Sequence, residues 1–298
     1  MSKIREILIT EREDGFYVQF DAMASACEVI IETSNRILAN KIGKEISTEV
    51  WRIEDKYSRY NPQSLCSQIN LSHGNPIKID DETFALLNFA DTCYQLSEGV
   101  FDLTSGVLRK VWRFDCTDNI PSQDSIAKEL KNVGWQKVEY DNEKIILPAH
   151  MEIDFGGIGK EYAVDRALLL INGLTKQPVL VNLGGDLATN DIRQNGAPWQ
   201  VGVEHPGFVD KKTMVVSLFK GALATSGDAK RFLLKNGKRY SHILNAKTGW
   251  PIDNAPRSIT VLAPQCIQAG LLATLALMQG DNAEQFLTEQ EIKHWAIR

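Results

Sequence analysis

Met151-Glu-Ile-Asp-Phe-Gly-Gly-Ile-Gly-Lys-Glu-Tyr-Ala-Val-Asp165 reads as a strand, a glycine turn and a helix opening at about Gly159. Glycines let a backbone approach a ligand closely, and the free N–H groups of a helix N-terminus favour an anion. Lys160 adds positive charge at the same point. Neither common phosphate fingerprint fits, however. A P-loop needs glycine where Asp154 stands and a hydroxyl residue where Glu161 stands. The dinucleotide fingerprint begun at Gly157 needs a third glycine where Tyr162 stands. Taken alone, the segment supports an anion-binding turn and a plain glycine turn about equally.

Outward from this turn, helix and strand signals alternate along the chain. Phe16–Phe20, Cys27–Glu32, Pro178–Leu183, Trp199–Val203, Thr213–Phe219 and Ser258–Ala263 read as strands, and residues 137–147 as a hairpin. Helical spacing runs from Asn35 to about Tyr57 through Ile42, Ile46, Val50 and Ile53, with Ser34 or Asn35 as the cap. Asp81–Ser97, Lys160–Ile171 and the apolar Cys266–Met278 are the other helices. Strand pairs outnumber strand–helix–strand units. The pattern therefore predicts an α+β fold of mainly antiparallel sheets with helices packed outside. No repeat or low-complexity linker marks a boundary, and the length of 298 residues fits two domains or one large one.

Composition bounds the function. The 298 residues carry 33 Lys+Arg against 38 Asp+Glu, a net charge of −5, which argues against a dedicated nucleic-acid binder. Hydrophobic residues at 43% and charged residues at 24% describe an ordinary globular protein. The five cysteines, Cys27, Cys66, Cys93, Cys116 and Cys266, form no zinc or disulfide pattern and read as free, buried thiols of a reducing compartment. Ala24-Ser25-Ala26-Cys27 looks like a lipoprotein cleavage box, but residues 11–21 before it are too charged for membrane insertion. The most apolar stretch, 259–279, contains Pro264, Gln265 and Gln268 and is no membrane span. A cytoplasmic protein with no membrane partner is expected.

Other segments could carry chemistry. Val179-Leu-Val-Asn-Leu-Gly-Gly-Asp186 is an apolar strand ending in a double glycine, best read as a tight turn capped by Asp186. Ala222-Leu-Ala-Thr-Ser-Gly227 is followed by Tyr240-Ser-His-Ile-Leu-Asn-Ala-Lys-Thr-Gly249, where His242 is the natural candidate base. A lone histidine is more often structural. No G-x-S-x-G surrounds Ser226 or Ser105, and no histidine pair at i, i+4 suggests zinc. Gly99-Val-Phe-Asp-Leu-Thr-Ser-Gly106 reads as a connection in which Asp102 caps a helix.

In order, these stretches resemble the FAD:protein FMN transferase (ApbE) family. The matches are Met23-Ala-Ser; Tyr57-Ser-Arg-Tyr-Asn-Pro-Gln-Ser with Asn70; Gly99-Val-Phe-Asp-Leu-Thr; Ile153-Asp-Phe-Gly-Gly-Ile-Gly-Lys; Asn182-Leu-Gly-Gly-Asp; Ala224-Thr-Ser-Gly; Ser241-His-Ile with Thr248-Gly249; and Ala269-Gly-Leu-Leu-Ala-Thr. The resemblance implies an enzyme that cleaves FAD at its pyrophosphate, attaches FMN to a Thr or Ser hydroxyl of a target flavoprotein, and releases AMP. It further implies that Met23, Tyr60, Val100, Phe101, Asp102, Asp154, Lys160 and Ile243 line the FAD site, and, since the matched positions run from Met23 to Thr274, that residues 1–298 form a single domain. His242 would deprotonate the acceptor hydroxyl. Mg2+ would be held by the Gly157 carbonyl and by positions 270, 273 and 274, here Gly270, Ala273 and Thr274.

Two positions depart from the family pattern. Gly270 stands where the family has an aspartate ligand, and Glu161 stands where it usually has glycine. Losing one unit charge at about 4 Å from a cation forfeits roughly 4 kcal/mol at an effective dielectric of about 20. Weakened Mg2+ binding and weakened activity are expected, with Glu161 pointing outward along its helix. The rival functions are an FAD pyrophosphatase yielding FMN and AMP, and a non-catalytic FAD-binding protein.

Overall fold

The computed structural model describes residues 5–115, 117–203, 214–228 and 231–298. Its centre is one eight-stranded sheet. The strands are β1 (Leu8–Arg12), β2 (Gly15–Ala22), β3 (Ser25–Ile31), β4 (Val179–Leu183), β5 (Asp186–Thr189), β6 (Gly221–Gly227), β7 (Ser258–Ala263) and β8 (His294–Ile297). They lie side by side in chain order, and each pairs antiparallel with the next. The helices are inserted between strands. Arg36–Tyr57 (α1), Asp81–Leu96 (α2) and Gly159–Leu174 (α3) all lie in the β3–β4 connection, and Cys266–Met278 (α4) lies between β7 and β8.

Alternation along the strands explains how both faces are covered, since successive side chains of a strand point to opposite sides. In β4, Val179, Val181 and Leu183 join the large core against the helices, while Leu180 joins a second cluster. In β6, Ala222 and Ala224 likewise face the helices and Leu223 the other side. That other side is covered by a hairpin of Trp199–Val203 and Met214–Leu218, which contributes Trp199, Val201, Val203, Val216 and Leu218. Each such side chain, fully buried, contributes roughly 1.5–3 kcal/mol.

Helix α1 buries Ala39, Ile42, Ile46, Val50, Ile53 and Tyr57, the stripe its spacing predicts, and the Asn35 side chain caps it by accepting from Leu38 N at 3.0 Å. A third cluster joins Val107, Leu108, Trp112, Ile126 and Val133 to Leu233 and Ala246. It fixes the loop that follows the hairpin Phe232–Lys235 and Lys238–Ser241 against the segment 103–133.

The α+β expectation holds, and the strands and helices read from the sequence lie within a few residues of their places. Thr213 and Cys116 fall outside the described residues. Cys27, Cys66, Cys93 and Cys266 are free and buried. The outermost strands, β1 and β8, were not legible: β1 shows the burial of an exposed edge, with only Ile9 partly covered, and β8 is half-buried throughout. Among the described residues, no helix is long and apolar enough to cross a membrane.

Candidate active site

The glycine turn of 155–157 is a single 3-10 turn that hands the chain to α3 at Gly159. Asp154 organises it. Its Oδ1 accepts from Gly156 N at 3.0 Å, and its Oδ2 pairs with Arg59 Nη1 at 2.6 Å. Arg59 in turn donates to the hydroxyl of Tyr60, which stands 78% exposed. Asn70 clamps the preceding residue, accepting from Ile153 N at 2.7 Å and donating to Ile153 O at 3.0 Å. The Phe101 ring lies against the turn, 3.4 Å from where a Cβ on Gly157 would stand.

Lys160 Nζ reaches Asp186 Oδ2 at 3.1 Å. Burial pulls the lysine pKa down, but Asp186 and Glu161 more than offset it and hold the ammonium charged. Asp186 is buried at 3% exposure and accepts Thr225 N at 3.4 Å, yet burial leaves its pKa raised. Its position follows from the β4–β5 turn. Gly184 has φ +65°, and a Cβ there would stand 2.5 Å from the Ser25 side chain, so only glycine closes this turn. Ser25 belongs to the turn region of Met23, whose φ of +51° beside Ala24 at +56° makes the β2–β3 turn left-handed at two non-glycine residues. Glu54 Oε1 holds it by accepting from Met23 N at 2.9 Å.

Glu161 does not point outward. Its side chain crosses to α4 and fills the space beside Gly270. Its Cγ lies 2.6 Å, and its Oε1 2.7 Å, from where a Cβ on residue 270 would stand. Its Oε2 is buried without a hydrogen-bond partner. Burial first, then the neighbouring Asp186 charge, push this carboxyl well above the usual range. Next along α4, Ala273 is fully buried and the Thr274 hydroxyl donates to Ser226 Oγ at 3.1 Å.

His242 follows the strand Lys238–Ser241 and meets Phe114 edge-on at 6.3 Å between ring centroids. Its Nδ1 is buried and unpartnered. Burial, assisted by the Arg231 charge, lowers its pKa to about 4, so the imidazole is neutral at pH 7. Its loop is tied to the Phe101 segment through Ala246 N, which donates to Val100 O at 3.2 Å, and through Trp112 Nε1, which donates to Gly249 O at 2.8 Å. Ile243 packs against the large core and accepts from Ile252 N at 3.1 Å.

Asp102 has a different setting. Its Oδ1 accepts from Thr104 N and Thr104 Oγ1 at 2.7 and 2.6 Å, and its Oδ2 accepts from Trp135 N at 2.8 Å. This is the helix-capping arrangement, at 5% exposure, with both oxygens engaged by protein donors.

Eight of the sequence-derived residues fall into two groups joined at the start of α3, while His242 and Ile243 lie on a loop tied to Val100, and Met23 and Asp102 keep separate settings. Tyr60, Phe101, Asp154 and Gly157 surround the glycine turn, and Lys160, Gly270, Ala273 and Thr274 lie where α3, α4 and the ends of β5 and β6 meet. Three contributors escaped sequence reasoning: Arg59, Asp186 as the partner of Lys160, and the inward Glu161. The last left a signal, since Glu161 and Gly270 depart from the pattern in opposite senses. Among the described residues, no group of three or more His, Cys, Asp or Glu side chains could hold a metal ion. A cation here would need backbone, hydroxyl and ligand oxygens as well.

Comparison with known proteins gives the family and the fold. A model described as the ApbE family matches residues 23–296. An FAD:protein FMN transferase of Chlamydia pneumoniae is 30% identical over 263 residues, covering 86% of this chain and 79% of the relative. One of Haemophilus influenzae is 28% identical, covering 82% and 74%. The crystal structure of the ApbE protein of Thermotoga maritima superposes with a TM-score of 0.83 at 28% identity, covering 98% of this chain and 94% of that one.

Proposed function

The chain belongs to the ApbE family, and from that premise we propose how it works as a transferase moving FMN from FAD to a target protein. The acceptor is a Thr or Ser hydroxyl on a flavoprotein, and the whole chain acts as one functional unit. The acceptor oxygen attacks the phosphorus of the FMN half, the bond from that phosphorus to the bridging oxygen breaks, and AMP leaves with that oxygen. A phosphoester joins FMN to the protein.

The environments described above and the family resemblance support the following roles. The N-terminus of α3 and the ammonium of Lys160 receive the diphosphate, and Asp186 fixes the lysine in direction. Phe101 and Met23 offer apolar surface to the flavin or adenine, with Tyr60 at the rim and Val100, Asp102, Asp154 and Ile243 shaping the walls. Asp102 does so as a cap rather than by a free carboxylate. Neutral His242 takes the proton from the acceptor hydroxyl, its base form being the one present at neutral pH.

Mg2+ fits the site in kind. The carbonyls of Gly157 and Ala273 and the hydroxyl of Thr274 are oxygen donors of the sort this ion prefers, and two acids, Glu161 and Asp186, face one lysine. The ion would neutralise the diphosphate charge. A reducing, cytoplasmic location accords with four buried free thiols.

The observation that carries the reading is the 30% identity with an FAD:protein FMN transferase across 86% of this chain. Incubation with FAD, Mg2+ and a candidate acceptor tests it. Flavin fluorescence retained on the denatured acceptor is the expected result. Free FMN plus AMP would mean hydrolysis instead, and intact bound FAD would mean binding alone.

A further inference from the structure

Helices α3 and α4 cross antiparallel in a fixed register. Glu161 meets Gly270, and one turn further along α3, Asp165 meets Cys266, one turn back along α4. A glycine inside a helix costs about 1 kcal/mol relative to alanine. At position 270 that cost makes room for one thing, the Glu161 side chain, since a Cβ would stand 2.6 Å from its Cγ.

The carboxylate so admitted is incompletely satisfied. Oε2 has no partner, and the adjacent Lys160 is directed at Asp186. A buried carboxyl oxygen without a partner is costly, and a cation seated beside it would satisfy it. Thr274, one turn after Gly270 and therefore on the same helix face, adds a hydroxyl oxygen turned toward Ser226. Carboxylate, hydroxyl and the nearby backbone carbonyls make an all-oxygen set, which selects a hard divalent cation.

We infer that Glu161 is the carboxylate ligand of a divalent cation at the diphosphate end of the FAD site, supplied from α3 through the slot that Gly270 leaves in α4. The inference rests on the FAD reading above. It also replaces the expectation of a site short of one charge: the acid that position 270 lacks is delivered from the facing helix. Position 161 and position 270 form one unit, in which a side chain at either excludes a side chain at the other.

Mn2+ binding to the full chain saturated with FAD, without acceptor, tests this through loss of the free-ion electron paramagnetic resonance signal. Glu161→Gln keeps the shape and removes the charge, and it should weaken Mn2+ binding by about tenfold or more. The double variant Glu161→Gly/Gly270→Asp returns a carboxylate to the same volume and should recover affinity to within about threefold of the parent. Mn2+ binding unaffected by Glu161→Gln, or no Mn2+ binding by the parent, would overturn the assignment and leave Glu161 a neutral packing group. Quenching of flavin fluorescence reports FAD binding separately, so failure of the FAD reading is distinguishable from failure of the metal assignment.

Discussion

The carboxylate of Asp165 accepts hydrogen bonds from the backbone N–H groups of both Cys266 and Ile267, at 2.8 and 2.9 Å. Helix α4 has no side-chain cap of its own at Gln265, so its first turn is capped by a residue of α3. A cap supplied across an interface stabilises the helix and fixes the register of the two helices together. Asp165→Ala should therefore cost about 1–2 kcal/mol, with a thermal midpoint lowered by a few degrees. It should also loosen Mn2+ binding, because the slot opposite Glu161 shifts. An unchanged melting curve would show that the cap contributes nothing.

The contact between positions 161 and 270 can be read by a double-mutant cycle. Gly270→Ala in the parent overpacks the slot and should destabilise by about 1–2 kcal/mol. In the Glu161→Gly background the same change meets open space and should stabilise by up to about 1 kcal/mol through helix propensity. Denaturant melts of the four proteins give the coupling. Equal effects of Gly270→Ala in both backgrounds would contradict the observed approach.

His242→Gln should lower FMN transfer by about 100-fold or more while leaving FAD binding near its parent value. Transfer unchanged in this variant would remove His242 from the base role. The pH dependence has a definite sign. The folded pKa is lowered from 6.5 to about 4, so the base form persists down to that range and the acid limb of the rate profile should lie near pH 4.

The same shift predicts a stability effect. Unfolded, the imidazole takes up its proton near pH 6.5, whereas folded it resists until about 4. Native stability is therefore fully present above pH 6.5 and falls between there and 4, by roughly 3 kcal/mol. Replacing His242 with glutamine should remove this part of the acid sensitivity, as urea melts at pH 7 and pH 4.5 would show.

Lys160→Met leaves Asp186 buried beside Glu161 with no cation. It should destabilise by about 2 kcal/mol, since the lysine side chain, 32% exposed, keeps part of its hydration in the pair. Adding Asp186→Asn should restore most of the stability but not FAD affinity, since the charge that meets the diphosphate is still missing. Recovery of FAD binding in the double variant would show that Lys160 acts only as a partner for Asp186.

Legibility in the sequence followed the strength of the physical signal. Helix α1 was readable because its stripe from Ala39 to Tyr57 repeats over several turns and Asn35 caps it. The central strands were readable because both faces are covered, which makes Val179–Leu183 apolar at every position but Asn182. The edge strands β1 and β8 lack that pressure and carry ordinary surface residues. At the site, glycine turns and the lysine at a helix start announced themselves. Arg59 and Asp186 did not, because an ion pair between distant segments leaves no spacing to count. Glu161 was misjudged because helical periodicity assigns a face without saying what lies across it. Here the facing residue is a glycine.

The sheet has neighbours in strict chain order, yet one adjacent pair is far apart along the chain: Ile31 of β3 pairs with Val179 of β4. Residues 32–178, which carry the candidate-site residues from Tyr60 to Lys160, are threaded between them. During synthesis, at about 5–20 residues per second, the edge of β3 must wait roughly 7–30 s for its neighbour. Through that interval the three-stranded N-terminal meander presents unpaired backbone and the apolar side chains of Val29 and Ile31, and its protection depends on α1 folding back across it first. The placement that assembles the site from both halves of the chain thus makes the nascent protein dependent on early helix docking, and exposes it to aggregation whenever that step is slow.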